Sequence, residues 1–391
     1  MAWQICCGLE RGRMVVYYAK KVVERLRKSQ KLVIFGAGLV AYEVASCLIA
    51  KPYQLSVDCF LVSERKDNPE ELLGLPVVVM DESTHRVGKE AMIVVAVMEK
   101  HLKSILENLH RRGYVHILPL TFEGDLWSLM QGNYFREYCL DTNRPYLTLE
   151  DELTKLNRKA GKRGRIRIYT AKCHVDRELK EDLSRYFWEI PIQAGAALTE
   201  QKICEVRDNQ GKNISEKNRQ YCELTALYWI WKNDCSDYAG LGHYRRHFEL
   251  DEEMLDKLLA SDIDVVLTIP ILNFPSVGAV YKHDHLESDW KVMMDAIRIL
   301  APDYELSARE IQDGNYYYGY NMLIARKKIL DSYCAWLFPI LQYCEEHGQE
   351  RRDNYQGRYI GFLAERLLGI YFLKHRENYK IVHVRKHFVE G

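Results

Sequence analysis

At 391 residues, 47% hydrophobic and 28% charged, the chain is long and apolar enough to bury two cores, which excludes a disordered polymer. Lys+Arg and Asp+Glu both number 55, for a formal net charge of +0, so binding to nucleic acid or membrane through bulk charge is excluded and any cationic function is local. The 11 cysteines are scattered without metal-ligand spacing, only Cys6 and Cys7 being adjacent, a pattern that fits free thiols in a reducing cytoplasm rather than a disulfide framework.

Residues 14–29 place Val15, Tyr18, Val22, Val23 and Leu26 on one side of a helix. The basic opposite side is a solvated face, with peripheral contact to anionic lipid as the functional alternative. Next, KLVIFGAGLVAYEVASCLIA runs an apolar strand, Leu32 to Phe35, into a glycine turn and a helix. Gly36 allows the tight turn, Gly38 lets the helix start approach a phosphate, and Ala41 is the third small position, the opening of a Rossmann-type βα unit. The following strand, Leu55 to Ser63, lacks the acidic tip that would grip a dinucleotide ribose, since Glu64 comes one residue late. Strands at Ala91–Val97 and Tyr114–Leu118 flank a helix over 99–112, giving an alternating β/α domain over 1–123 with a parallel sheet. This arrangement resembles the small nucleotide-binding domains that precede sugar-modifying enzymes in bacterial polysaccharide pathways.

Periodicity breaks down over 124–164, a linker ending in a basic run (Arg158, Lys159, Lys162, Arg163, Arg165). A second domain, 165–391, opens on the strand RIRIYTAK, with Arg167 and Tyr169 outward and Thr170 and Ala171 at the carboxyl end where α/β sheets bind ligands. Asn213 or Ser215 caps a helix carrying Lys217 and Asn218 on its first turn, equally a diphosphate site or a plain cap. Along that helix Tyr221, Leu224, Thr225, Tyr228 and Trp231 form a core face, and Glu223 among them needs a partner. The strand YAGLGHYRRHF then ends in His243, Tyr244, Arg245 and Arg246. Alternation puts His243 with Arg245 and Tyr244 with Arg246, one pair facing an anionic ligand. Asp262 and Asp264 precede their strand, on the wrong edge for a ligand. His285 and Asp289, at i and i+4 beside His283 and Asp284, suit one helix face as an orienting pair, a metal site, an acceptor clamp or a cap. Tyr316, Tyr317 and Tyr318 lead into Gly319, Tyr320 and Asn321, rings and amides suited to a sugar face. Glu365 and Arg366 interrupt an otherwise apolar final helix and must be paired or functional. His383 and His387 are late candidates for a diphosphate or metal.

NISEKNRQYCELTALYWIWKN followed by YAGLGHYRRHF, together with YKHDHLESDW, GYNMLIARKKILDSYCAWLFPIL and GRYIGFLAERLLGIYF, resembles a bacterial family catalogued as a domain of unknown function. The family occurs among capsular and exopolysaccharide synthesis proteins and is regarded as GT-A-type glycosyltransferases; the resemblance spans about residues 165–391. It implies an α/β chain in which a Rossmann-like domain precedes a GT-A-like domain. The activity implied is a hexosyltransferase-type transfer from a nucleoside diphosphate sugar, a UDP-sugar foremost, to a saccharide acceptor, including a lipid-linked one. It places the protein in the cytoplasm or at the inner face of the membrane, with no nucleic-acid partner. Such enzymes usually hold Mn2+ or Mg2+ on an Asp-x-Asp where this chain has His243 to Arg246. Either the arginines replace the metal or His243 joins carboxylates from elsewhere to hold one. Donor contacts would come from Thr170, Ala171, Asn213, Lys217, Asn218, His243, Tyr244, Arg245 and Arg246. Acceptor contacts would come from Tyr318, Gly319 and Asn321. Glu365 would be the catalytic base of an inverting transfer, or a structural partner of an arginine such as Arg245, with His285 and Asp289 assisting. A non-catalytic sugar-nucleotide or glycan-binding partner in an assembly complex is the alternative, and a nicotinamide-dependent sugar-modifying enzyme a third.

Overall fold

A computed structural model of the chain describes residues 20–82, 86–156, 164–349 and 353–391. Val15, Tyr18, the Cys6–Cys7 pair and most of the basic run at 158–163 lie outside them. The chain divides into two compact units at Pro145 and Tyr146.

In the first unit helix α1 (20–28) buries Val22 and Leu26. It is followed by β1 (Leu32–Phe35), α2 (Leu39–Ile49), β2 (Cys59–Val62), β3 (Glu71–Leu72), β4 (Leu75–Val79), β5 (Met92–Val95), α3 (Glu99–Arg111), β6 (Ile117–Pro119) and α4 (Asp125–Asp141). The sheet runs β3-β4-β2-β1-β5-β6, with every pairing parallel except that of the short edge strand β3. The inner strands β1, β2 and β5 are apolar and buried throughout because both faces are covered, and the direction of winding reverses between β1 and β5. Gly36 stands at that reversal. It has φ +117, and a Cβ there would lie 2.8 Å from the Ala96 carbonyl oxygen, whereas nothing stands within 4 Å of a Cβ on Gly38. Gly36→Ala is therefore expected to destabilise the unit by about 1–3 kcal/mol and Gly38→Ala to change little. Urea unfolding compares the two; equal stabilities would refute the close approach of β1 to β5.

The stretch 124–164 contains two helices: α4, and α5 (Leu149–Thr154) in the second unit. Buried positions Trp127, Gln131, Phe135 and Cys139 recur every four residues of α4, but the polar Gln131 interrupts the apolar signal.

The second unit continues with β7 (Ile166–Lys172), β8 (Glu189–Gln193), β9 (Val206–Arg207), α6 (Asn218–Tyr221), α7 (Leu224–Asn233), β10 (Tyr238–His243), β11 (Arg246–Phe248), α8 (Glu252–Ala260) and β12 (Val265–Thr268). Then come β13 (Ile271–Leu272), α9 (Val277–Asp284), α10 (Glu287–Leu300), α11 (Glu305–Asp313), β14 (Tyr316–Tyr317), β15 (Leu323–Arg326), α12 (Lys327–His347), α13 (Tyr359–Lys374), β16 (Ile381–Val384) and β17 (Lys386–Phe388). The main sheet runs β16-β12-β15-β10-β7-β8-β9, and only β15 is reversed. This is a GT-A-like α/β sheet following a Rossmann-like parallel one. β7 lies inside it, so Tyr169 is buried rather than outward, its hydroxyl donating to Asp234 at 2.8 Å.

Register aligns Ala171 with His243, Leu241 with Leu323, Leu267 with Leu323, and Thr268 with Val384. The carboxyl ends of β7, β10, β12 and β16 therefore meet the amino end of β15 on one edge. Helix α13 is buried along nearly its whole length. Leu363, Leu367, Leu368, Ile370 and Phe372 each gain about 1.5–3 kcal/mol on burial. Together these outweigh the several kcal/mol that dehydrating each ion of the Glu365–Arg366 pair costs. Among the described residues no helix is long and apolar enough to cross a membrane.

Candidate functional site

At this edge the His-Tyr-Arg-Arg run is a hairpin rather than a continuing strand. β10 ends at His243, which pairs with Arg246 across the two-residue turn Tyr244–Arg245. Alternation therefore stops at His243. β11 leaves to pair with β17, while the Tyr244 N–H still donates to the Ala171 carbonyl at 3.1 Å. Aromatic faces hold the two guanidinium groups. Arg245 lies 4.7 Å over the Phe388 ring and its Nε donates to the Val389 carbonyl at 3.4 Å. Arg246 lies 3.8 Å over Tyr320, whose ring also has Lys386 Nζ at 5.2 Å. Stacking on a ring face fixes the plane of a guanidinium group, whose fork of N–H donors matches an oxyanion. The Arg245 N–H donates to His243 Nδ1 at 3.4 Å, and the His243 ring leans on Tyr244 with centroids 5.0 Å apart.

Facing these cations are two carboxylates placed by left-handed backbone. The expected continuous helix after Ser215 is broken: α6 stops at Tyr221, Cys222 takes φ +50, and α7 restarts after Glu223. Tyr320 and Asn321, entering β15, have φ +67 and +52. A non-glycine residue in this region is held at a cost of about 1 kcal/mol or more, and such residues gather at functional sites. The strained segments meet. Asn321 Nδ2 donates to Glu223 Oε1 at 2.8 Å, giving Glu223 the partner its position demands. The Tyr320 N–H donates to Glu365 Oε1 at 2.6 Å, and Arg366 Nη1 donates to Glu365 Oε2 at 2.9 Å. So Glu365 pairs with Arg366, its own neighbour, rather than with Arg245. Arg358 Nε donates to Cys222 Sγ at 3.2 Å, and a Cβ on Gly361 would lie 3.3 Å from that sulfur.

Burial pushes the carboxyl of Glu223 above the usual range, against the Asn321 hydrogen bond and the charges of Arg358 and Arg246. Burial also raises Glu365, against Arg366, the Tyr320 N–H and Arg246, while the charge of Glu223 raises it further. The site thus pairs a cationic hairpin with two coupled carboxyls of elevated proton affinity.

Other sequence candidates lie elsewhere. Thr170 is buried and donates to Glu189, which also meets His247 Nδ1 at 2.7 Å. Asn213 bonds the carbonyls of Asn209 and Gly211, Lys217 pairs with Glu345 at 2.6 Å, and Asn218 bonds the Cys222 carbonyl and Thr225. These contacts tie the loop to its own framework. His285 and Asp289 do not share a helix: α9 ends at Asp284, His285 is extended, and α10 begins at Glu287. The His285 ring stacks on Phe362 with centroids 4.2 Å apart, and burial, helped by Arg366, pushes its pKa down to about 4; Asp289 is buried in the first turn of α10. Burial likewise lowers His383 to about 4, so its neutral ring donates from Nδ1 to the Leu147 carbonyl at 3.2 Å and accepts at Nε2 from Tyr318 at 2.8 Å. That bond directs the Tyr318 hydroxyl to His383. Gly319 is a packing glycine, its Cβ position 2.4 Å from Ile271 Cδ1. His387 meets Glu181 at 3.0 Å. Asp262 and Asp264 pair with Lys380 and Arg326 at the opposite end of the strands.

Among the described residues no group of three or more His, Cys, Asp or Glu could hold a metal. A divalent cation needs converging oxygen ligands, and the hairpin end presents Arg245, Arg246 and Lys386; this donor set does not fit Mn2+ or Mg2+. Sequence reasoning missed Arg358, Cys222 and Lys386. Arg358 had a signal: it precedes Gly361 and Glu365 by three and seven residues, one helical face.

The family model described as "Domain of unknown function (DUF4422)" matches residues 167–377. No curated protein matches the chain. Among solved structures the chain is similar to a WbbM bifunctional glycosyltransferase in its apo form, with 28% identity and a TM-score of 0.50 over 58% of this chain and 45% of that one. The chain therefore spans less than half the length of that neighbour.

Proposed function

The chain belongs to the family described as Domain of unknown function (DUF4422), and from that premise we propose that it is a hexosyltransferase acting on a nucleoside diphosphate sugar. The similar bifunctional glycosyltransferase supports the reaction class. The observation that carries the reading is the meeting of the Arg245–Arg246 hairpin and the Glu223–Glu365 pair at one edge of a GT-A-like sheet. In the proposed reaction an acceptor hydroxyl forms a bond to the anomeric carbon as the bond from that carbon to the diphosphate breaks. The hydroxyl proton passes to the carboxylate pair, of which Glu365 is the member expected from sequence, and the diphosphate leaves with its new charge on Arg245 and Arg246. His243 and Tyr244 shape the same pocket edge, and Asn321 holds the acceptor side through Glu223. The acceptor is a saccharide, lipid-linked in capsular or exopolysaccharide synthesis, and the donor a UDP-sugar from the cytoplasm. In the first unit the Gly36–Gly38 turn with Ala41 is a separate nucleotide contact.

The test is nucleotide release from a panel of UDP- and GDP-sugars, with and without manganese. Turnover of at least one donor that EDTA leaves unchanged is expected. No turnover and no thermal shift with any donor would refute the reading, and strict manganese dependence would refute the arginine clamp.

A further inference from the structure

We infer that Glu223, rather than Glu365, is the group that takes the proton from the acceptor hydroxyl, with Glu365 acting as its positioning partner. The inference rests on the transferase reading and divides the labour within the pair. Both oxygens of Glu365 are committed, Oε1 to the Tyr320 N–H and Oε2 to Arg366. Each oxygen keeps a second lone pair, but a proton taken up there would cancel the charge that strengthens these bonds, each worth about 1.5–3 kcal/mol while the carboxylate is ionised. Glu223 commits only Oε1, to Asn321. Its Oε2 has no partner among the described residues beyond the residue's own main chain, and it is not one of the unpartnered oxygens sealed inside the protein. One oxygen held and one open is what a base needs: the held oxygen sets direction, the open one receives the proton.

Backbone strain serves the same end. The φ of +50 at Cys222 interrupts the helix just before Glu223, and the φ of +52 at Asn321 places the amide that holds it. Two strained segments, from different parts of the chain, thus converge on a single carboxyl. The charged groups acting on it are Arg358 and Arg246, which favour its ionised form, and Glu365, with which it is coupled. Burial outweighs the arginines and raises its proton affinity, so the base can hold the proton it receives.

The step balances without a co-reactant. The acceptor O–H proton goes to Glu223 Oε2, the oxygen's electron pair forms the new glycosidic bond, and the electrons of the breaking bond leave on the nucleoside diphosphate.

The test compares Glu223→Gln and Glu365→Gln with the wild type, following UDP release from UDP-glucose, UDP-galactose or UDP-N-acetylglucosamine, whichever turns over, with water as acceptor. Glutamine keeps an oxygen for Asn321, and UDP titration by thermal shift reports whether each variant folds and binds. Glu223→Gln is expected to lower kcat by about 100- to 10,000-fold with UDP affinity within about twofold, and to abolish the acidic limb of the kcat–pH profile. Glu365→Gln removes the neighbouring negative charge and is expected to keep that limb but move it to lower pH. A Glu223→Gln enzyme that keeps its rate within about threefold, or keeps the limb, overturns the assignment. Loss of the limb in Glu365→Gln alone returns the base to Glu365. Absence of release by the wild type from every donor refutes the transferase reading and the assignment with it, an outcome distinct from an active wild type with an active Glu223→Gln.

Discussion

Replacing Arg245 and Arg246 together with alanine is expected to weaken UDP binding about 100-fold while leaving the thermal midpoint of the free protein within a few degrees. The size follows from two lost charge-assisted hydrogen bonds of about 1.5 kcal/mol each. The modest effect on stability follows because both side chains are half-buried at the sheet edge, where they lie over the ring faces of Phe388 and Tyr320 and Arg245 makes one long bond to the Val389 carbonyl. Lysine at both positions should restore only part of the affinity, since an ammonium keeps the charge but not the planar fork. Isothermal titration with UDP measures this at two salt concentrations. Unchanged affinity in the double alanine variant would remove the diphosphate clamp from the proposed reaction.

Arg366→Ala is expected to lower stability at pH 7 by about 3–5 kcal/mol, the usual result of leaving one member of a buried ion pair alone. Arg366 is 5% exposed and Glu365 15%, and Arg366 also donates to the Phe362 carbonyl at 2.9 Å and lies 4.2 Å over the Tyr317 ring. The loss has a pH signature. Glu365 already has its pKa raised by burial, and removing Arg366 raises it further. A carboxyl whose folded pKa exceeds its unfolded value destabilises the protein increasingly as pH rises between the two values. The part of the penalty due to charge should therefore vanish as pH falls to the ordinary glutamate value of about 4.3. Glu365→Gln in the same chain should recover a comparable part at pH 7. Denaturant titrations at both pH values decide the matter: a penalty independent of pH would mean that Arg366 matters through packing alone.

The fold was legible wherever the sequence is locally consistent. The apolar run Leu32–Phe35 meeting Gly36 specifies a strand, a turn and a helix start in one stretch, and the sheet found there is parallel. Glu223 among apolar neighbours announced a partner, though not that the partner was Asn321. Three features stayed hidden because long-range contacts decide them. The helix after Ser215 breaks at Cys222, where nothing local demands a positive φ. The strand through His243 folds into a hairpin because β17 is there to receive β11. His285 and Asp289 fit helical spacing, but the chain leaves the helix between them. Polar loop chemistry misled in another way: Lys217 and Asn218 resemble ligand groups, yet Glu345 and the Cys222 carbonyl claim them.

The left-handed pair Tyr320–Asn321 has a consequence for how the site comes into being. Its two bonds reach Glu223 across 98 residues of chain and Glu365 across 45. No short-range precursor of this constellation exists, so loop closure must be complete before the strained backbone is rewarded. A folding intermediate that already has the parallel strands in place would still lack the carboxylate pair, and catalytic competence should be recovered later in refolding than secondary structure.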